Sequence, residues 1–576
     1  MGGEKWGVAQ WVETMSAPFS LYHERIDEVP LLIGVMQRLG LPELADRHLG
    51  CHGLHQGLSP GTLLMVWLAY ILAHGDHRKV AVQEWAQRYP VLLERLLGVT
   101  LRPTEFTDDR LASLLARLSI EKAWHALEAE LWQNTLSVVR LPVAAIRFDA
   151  TTTYGYHEIT PGGLMQLGRS KDHRPDLPQL LVMAAAAEPS GHLLGADVHP
   201  GQRADDGCYV PLIERVHGML GESELLYIGD CKMAALGTRA TIVAQGDYYL
   251  MPLPRSGSAG AEIDAWIEDL LASEQPWQLI WDEGEILGAG REFTRELTAQ
   301  STGAQPRSVT WTERVQVFRS LYLLRQQRDH LEKQLQRAEA ALWALTPPSR
   351  PGKKLYLEEA PLQAAVEQVL ARYHVAGLLR VQWERVQPTG TTVLGPRWMM
   401  SQVERDATAI CERTWRLGWR VQVTCAPVMR LSFPAAVRQY RGGWCLERGF
   451  HLFKDRPLGI RPLYVRREEQ IRGLTHLLTL GLRLETLLEI QVRASVRETG
   501  ELWTGLYVGQ PQRATAQPTA PQLLGAIARA EITLTRAEWR GEEQWHLTPL
   551  PPLLERTLAC MGLSASVYQR LLENST

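Results

Sequence analysis

The stretch LPVAAIRFDATTT, residues 141–153, is where the pattern of this chain changes. Val143, Ala145, Ile146 and Phe148 make a short apolar run that ends on Asp149 and is followed by three threonines. A run of that length without polar alternation predicts a buried strand with a carboxylate at its end. Upstream of it the periodicity is helical. Val29 to Leu39, Gly61 to His74, Ala81 to Leu97 and Asp108 to Trp132 carry apolar residues at helical spacing, with Ser59-Pro60 as cap and first turn of the second helix. Residues 1–140 are expected to form a helical N-terminal domain.

Downstream, Leu180 to Ala187, the turn Glu188-Pro189-Ser190-Gly191 and His192 to Val198 predict a β-hairpin. A helix over Tyr209 to Leu220 and a second apolar strand, Leu225 to Ile228, lead into Gly229-Asp230-Cys231-Lys232. A further helix and the strand Tyr248 to Leu253 complete an α/β order, with helices packed on a mixed sheet over 141–253. Residues 254–412 are heterogeneous. They hold a Gly-rich stretch (Ser256 to Gly260), strand-like runs (Trp277 to Trp281, Val315 to Phe318) and a charged helix with an exposed face, Tyr322 to Leu345, stopped by Pro347-Pro348-Ser349-Arg350-Pro351-Gly352. The α/β pattern returns over 413–495, with the strand Arg420 to Thr424 and helices at Phe433 to Phe453 and Ile471 to Val492. Residues 496–576 are expected to be a linker around Pro511 to Pro521 and a small helical C-terminal tail.

With 61 Lys and Arg against 64 Asp and Glu among 576 residues, the net charge of −3 excludes a tail-driven polyanion binder; binding to nucleic acid has to come from a locally basic surface. The 45% hydrophobic and 22% charged fractions are those of a folding chain, not a disordered one. The seven cysteines are scattered and none forms a CxxC pair, which points to a reducing, cytoplasmic setting. Cys51-His52 with His55 lacks a second ligand pair and reads as a loop, not a zinc site. The longest apolar run, Leu63 to Ala73, falls well short of the roughly 20 residues that span a bilayer. No membrane association is expected.

Asp149 and Asp230 both end apolar strands, where the sheet fixes the backbone and the side chain meets solvent or a metal; a strand-end Asp alone is as readily a turn or cap residue. The stretch FPAAVRQYRGGWCLERGFHLFK, residues 433–454, adds the deciding element. Read as one helix, it places Tyr440, Trp444, Glu447, His451 and Lys454 at spacings of four, three, four and three, along a single stripe. The segment Arg438 to Arg472 holds nine basic residues against four acids, so the near-neutral chain hides a cationic region. Asp, Asp and Glu together suit Mg²⁺, which takes hard oxygen ligands and leaves room for substrate phosphate oxygens. Two such ions about 4 Å apart serve phosphodiester chemistry, and three uncompensated carboxylates without a cation would repel one another.

On these residues the chain resembles the DDE transposases of the IS4 type, most closely the IS1634-like group. The family signature is Tyr, two residues, Arg, three residues, Glu, six residues, Lys. Tyr440, Glu447 and Lys454 match it, while Gly443 stands at the Arg position. Arg461-Pro462-Leu463-Tyr464 and Glu469-Gln470-Ile471-Arg472-Gly473 continue the likeness, and Pro200-Gly201-Gln202 through Asp205 resembles the family's loop between its two aspartates. The resemblance implies an α/β fold in which an RNase H-like catalytic domain is interrupted by a large insertion. It implies Asp149, Asp230 and Glu447 as catalytic metal ligands for two Mg²⁺ ions, with Mn²⁺ as an alternative. Tyr440 and Lys454, with Arg441 and Arg448, would contact DNA. Trp444 would either stack on a flipped base or pack beneath its helix, and His451 would be structural. The implied activity is metal-dependent cleavage at the ends of an insertion sequence and strand transfer into target DNA. The partners would be transposon-end and target DNA and a second copy of the chain, and the setting the bacterial nucleoid. A nuclease of the same fold and an inactive, domesticated DNA-binding derivative stay open as alternatives.

Overall fold

The computed structural model describes residues 19–50, 56–255, 257–347, 355–387, 395–461, 463–539 and 542–573. Cys51, His52 and His55 lie outside the described residues, as does Pro348 to Gly352. The chain is mixed α/β and divides into two compact units, one of residues 1–248, 299–309 and 441–576, the other of residues 249–298 and 310–440.

In the first unit the strand anticipated at 141–153 forms as β1 (Ala145–Tyr154), buried along most of its length. The hairpin β2 (Gln179–Glu188) and β3 (His192–Pro200) lies beside it, followed by α1 (Tyr209–Leu220) and the short strand β4 (Leu226–Ile228). The order is β3-β2-β1-β4, antiparallel except for the parallel pair β1 and β4. After residue 441 come α2 (Trp444–Lys454) and α3 (Glu468–Thr499), the latter buried almost continuously from Gln470 to Glu489. A chain of charges pins α3 to its neighbours. Arg483 of α3 and Arg215 of α1 both bind Glu128 of the helix Glu121–Val138, and Arg215 also binds Asp197 of β3. Trp124 of that helix stacks flat on His476 of α3, with ring centroids 4.3 Å apart. Buried charges are retained only when paired, and these are.

The helical N-terminal region forms with smaller pieces than its periodicity suggests. Ser59 caps Pro60–His74 as expected, its hydroxyl accepting from the Thr62 N–H. The span Ala81 to Leu97 is two helices, Lys79–Arg88 and Pro90–Leu97, because Pro90 lacks the N–H a continuous helix needs. Asp108 to Trp132 is likewise Asp108–Leu118 and Glu121–Val138, with Ile120 extended between them. The helical tail is corrected more deeply. Thr533–Trp539 and Glu542–Leu547 are strands, and the first pairs antiparallel with Phe19–Arg25 near the start of the chain. Alternation of buried Ile532 and Leu534 with threonines was the available signal.

In the second unit the strands run in the order Tyr248–Pro252, Trp419–Thr424, Ser308–Ser320, Glu285–Gln300, Gln278–Asp282. The long strand Glu285–Gln300 has no counterpart in the sequence reading. Its residues alternate with many half-exposed positions and carry no continuous apolar run. The charged helix forms at Leu321–Leu345, its outer face exposed and its inner residues Leu331, Leu335, Ala338 and Leu342 buried in a small core with Leu362, Val366 and Met400.

Candidate active site

The parallel pairing of β1 and β4 sets Ile146 opposite Tyr227 and Arg147 opposite Ile228, an offset of 81 residues that also separates Asp149 from Asp230. Both acids stand two residues beyond the same ladder position, Asp230 just past the end of β4 and Asp149 within β1, which runs on to Tyr154 and so does not end at the carboxylate as the apolar run predicted. Their proximity is felt electrostatically: burial pushes the Asp149 carboxyl above its usual range, and the charge of Asp230 adds to that, while Lys171 opposes it. Asp149 accepts from the Ala150 N–H at 2.7 Å. Asp230 accepts from the Tyr209 hydroxyl at 2.7 Å and from the Lys232 N–H at 2.9 Å, both on Oδ1. Burial, and then the charge of Asp230, hold the Tyr209 phenol far above its ordinary value, so it is a permanent donor to that carboxylate.

A third acid completes the cluster. Asp205, 6% exposed, binds Lys232 Nζ at 2.6 Å and lies 3.7 Å from Lys171 Nζ, which is itself 3.5 Å from Asp149 Oδ1. Burial works against the charge on Lys232, but Asp205 outweighs it and the amine is held above its ordinary value. The loops bearing these groups are fixed by close backbone contact. A Cβ on Gly168 would lie 2.1 Å from the Gly201 carbonyl oxygen, and one on Gly201 would lie 2.0 Å from that of Gln179, so only glycine fits at both places. Asp205, Lys171, Lys232 and Tyr209 were not anticipated as site residues. Asp205 was flagged only as part of a loop, and a lone Lys or Tyr carries no signal of its own.

The segment 433–454 departs from expectation. It is two helices, Phe433–Arg441 and α2, with Gly442 and Gly443 between them. Each glycine costs a helix interior about 1 kcal/mol relative to alanine, and two in succession end it. The single stripe through Tyr440 is therefore broken: half-buried Tyr440 belongs to the second unit and Glu447 and Lys454 to the first. Arg441 is exposed. A Cβ on Gly443 would come 3.2 Å from the guanidinium of Arg147, which pairs with Glu188, so buried cationic charge already lies against the position where the signature has Arg.

In α2, Leu446, Gly449, Phe450 and Phe453 face inward, against β1 and α3. Glu447 is on the exposed side. Trp444 is 56% exposed, which removes the alternative that it packs beneath its helix. Arg448 is engaged with Glu489 of α3, at 2.5 Å to one carboxylate oxygen, and so joins the two helices. His451 is exposed and paired with Asp455. Lys454 turns inward to Asp172 Oδ1 at 2.6 Å, and burial holds its amine below the ordinary value even with that partner.

Asp149 and Asp205 thus share Lys171, the charge of Asp230 reaches Asp149, and Glu447 is exposed on α2, the helix that packs against β1. Among the described residues no three acid, His or Cys side chains stand in a metal-ligating arrangement. The carboxylates of Asp149 and Asp230 are nonetheless of the chemistry a hard divalent cation takes, and the ammonium groups of Lys171 and Lys232 supply positive charge beside Asp149 and Asp205.

Residues 21–130 match the family model described as Domain of unknown function (DUF4277). No curated protein matches the chain. Among solved structures, it is similar to a piggyBac transposase synaptic complex with hairpin DNA at 7% identity and a TM-score of 0.32, over 96% of this chain and 86% of that one. At that score the likeness carries no argument here. Among the described residues no helix is long and apolar enough to cross a membrane.

Proposed function

We propose that this chain is a DNA transposase of the DDE type, akin to the IS4 group and its IS1634-like members, with its acids in an RNase H-like domain interrupted by an insertion. The observation that supports the reading is that β1 and β4 pair in parallel, with Asp149 and Asp230 each two residues beyond the pair Arg147 and Ile228. In this reading Asp149 and Asp230 would hold Mg²⁺ or Mn²⁺, which would supply Lewis-acid activation for attack of water, and then of a freed 3′-hydroxyl, on a DNA phosphodiester. Tyr209 and the Lys232 N–H hold Asp230 in one orientation, and Lys232 compensates the charge of Asp205. Lys454 takes a DNA phosphate, a contact that sets position and not sequence. Exposed Trp444 and Arg441 face DNA, and Glu447 would be the third metal-binding acid. A second copy of the chain, cytoplasmic and nucleoid-associated, acts across paired ends.

Purified protein incubated with Mg²⁺ and DNA carrying the element's ends should cleave at those ends. Glu447→Gln should abolish cleavage while leaving the unfolding midpoint in place, since the side chain is exposed. An unchanged rate in Glu447→Gln rejects the assignment of that residue. A second reading, an inactive DNA-binding derivative, draws on the exposure of Glu447 and on Gly443 in the signature. It predicts metal-independent DNA binding and neither cleavage nor strand-transfer products. Cleavage without strand transfer would mark a plain nuclease.

A further inference from the structure

Between β1 and β2 the chain runs Ser170-Lys171-Asp172-His173-Arg174, with opposite charges on adjacent residues. The two side chains go to opposite halves of the site. Lys171 Nζ lies between Asp149 and Asp205, at 3.5 and 3.7 Å, and also donates to the Ala150 carbonyl. Asp172 turns to the basic side. Its Oδ1 takes both Lys454 Nζ at 2.6 Å and Arg461 Nη1 at 3.3 Å, and its side chain is 6% exposed. Its second oxygen is buried with no hydrogen-bond partner among the described residues. The carboxylate engages the two cations through one oxygen and leaves the other orphaned, so it fills the space between them poorly, and a tetrahedral oxyanion in its place presents a separate oxygen to each cation.

We infer that Lys454 and Arg461 form a phosphate-binding site for DNA, and that the loop Ser170–Arg174 fills this site and the neighbouring acid cluster when no ligand is bound. The inference rests on the proposed function and goes beyond it by assigning Arg461, Lys171 and Asp172. Asp172 stands where a phosphate group goes, and Lys171 stands where a divalent cation goes. Because the two residues are consecutive, releasing one disturbs the other. Phosphate and metal binding are therefore coupled through one loop, each favouring the other.

The loop is well placed for this. It is anchored at its start by the Lys171 N–H to the Thr152 hydroxyl at 2.9 Å, and folded on itself by the Ser170 hydroxyl, which accepts from the N–H groups of Asp172 and Arg174. His173 has a φ of +57°, a left-handed conformation that non-glycine residues adopt at some cost. Arg461 is held from the other side by Asp455 at 2.5 Å and lies 5.7 Å from the Tyr154 ring centre, so it keeps its place when Asp172 leaves.

The test uses the full chain. Asp172→Asn frees both cations, so in EDTA a fluorescent duplex of arbitrary sequence should bind roughly tenfold more tightly by anisotropy. The slope of log affinity against log salt should steepen by about one phosphate contact, roughly 0.9. Lys171→Gln should tighten Mn²⁺ binding measured by electron paramagnetic resonance. The unaltered protein supplies a control against misfolding: trypsin cleavage after Lys171 should be slow alone and faster with duplex and Mn²⁺ together, Arg174 being shielded from trypsin by Pro175. Unchanged or weaker duplex binding in a folded Asp172→Asn, or cleavage that ignores both ligands, overturns the inference. If the unaltered protein binds neither duplex nor Mn²⁺, the proposed function falls and takes the inference with it. If it binds both and neither the variants nor the cleavage respond, the inference alone falls.

Discussion

Glu485 on α3 offers a quantitative test of the interior that seats α2. It is fully buried and neither of its carboxylate oxygens has a hydrogen-bond partner among the described residues. Burial first, and then the charge of Glu489, push its carboxyl from 4.5 to about 8, against the opposing pull of Arg448. Between those values the folded chain holds a proton that the unfolded chain has lost. The associated stability is present in full below about pH 4.5 and is lost as pH rises through 8. At about 1.4 kcal/mol per pH unit the ceiling is about 5 kcal/mol; with relaxation and water entry, roughly half of that is expected. Glu485→Gln is neutral in both states and lacks this slope. Urea unfolding of both proteins at pH 5 and pH 8.5 should show the variant gaining about 2–3 kcal/mol on the unaltered chain between the two conditions. A stability difference that does not change with pH would refute the argument. Since Glu489 and Arg448 join α3 to α2, the same titration should loosen the helix that carries Glu447.

Tyr209→Phe removes the hydroxyl that orients Asp230, and should cost about 1 kcal/mol of stability. It should lower DNA cleavage by roughly tenfold, because the carboxylate loses its fixed orientation; cleavage at the original rate would show that this bond is structural only. Gly201→Ala drives a methyl group to 2.0 Å from the Gln179 carbonyl and should cost more than about 2 kcal/mol, read as a fall in unfolding midpoint. Gly218→Ala in α1 meets open space and should instead gain up to about 1 kcal/mol, so the pair separates steric exclusion from a general effect of replacing glycine.

The elements that could be read in the sequence are those whose signal is local. β1, the hairpin β2–β3 and α1 announce themselves by apolar runs and turn residues, and the structure places them within a few residues of those limits. Pro90 and the Gly442-Gly443 pair were equally local signals, and they outweigh the periodicity that seemed to run through them. The strands of 533–547 depend on pairing with Phe19–Arg25, a contact no window of sequence contains. The site divides in the same way. Asp149 and Asp230 each follow an apolar run, but β1 continues past Asp149 to Tyr154, and the parallel pairing that relates the two acids is a property of the sheet. Asp205 and Lys171 lie in segments far apart in sequence that meet only where Gly168 and Gly201 let the backbone pack closely, and Asp172 finds Lys454 only through the fold.

The pairing of Phe19–Arg25 with Thr533–Trp539 also governs how this chain comes off a ribosome. The first strand emerges about 500 residues before its mate, which at roughly 5–20 residues per second is a wait of about 25 to 100 s. For that time its backbone donors and acceptors stay unpaired, an open invitation to a neighbouring nascent chain. Polysomes translating this message therefore expose a sticky edge early and bury it last. An excised fragment of residues 21–130, which begins inside that strand, keeps the edge bare permanently.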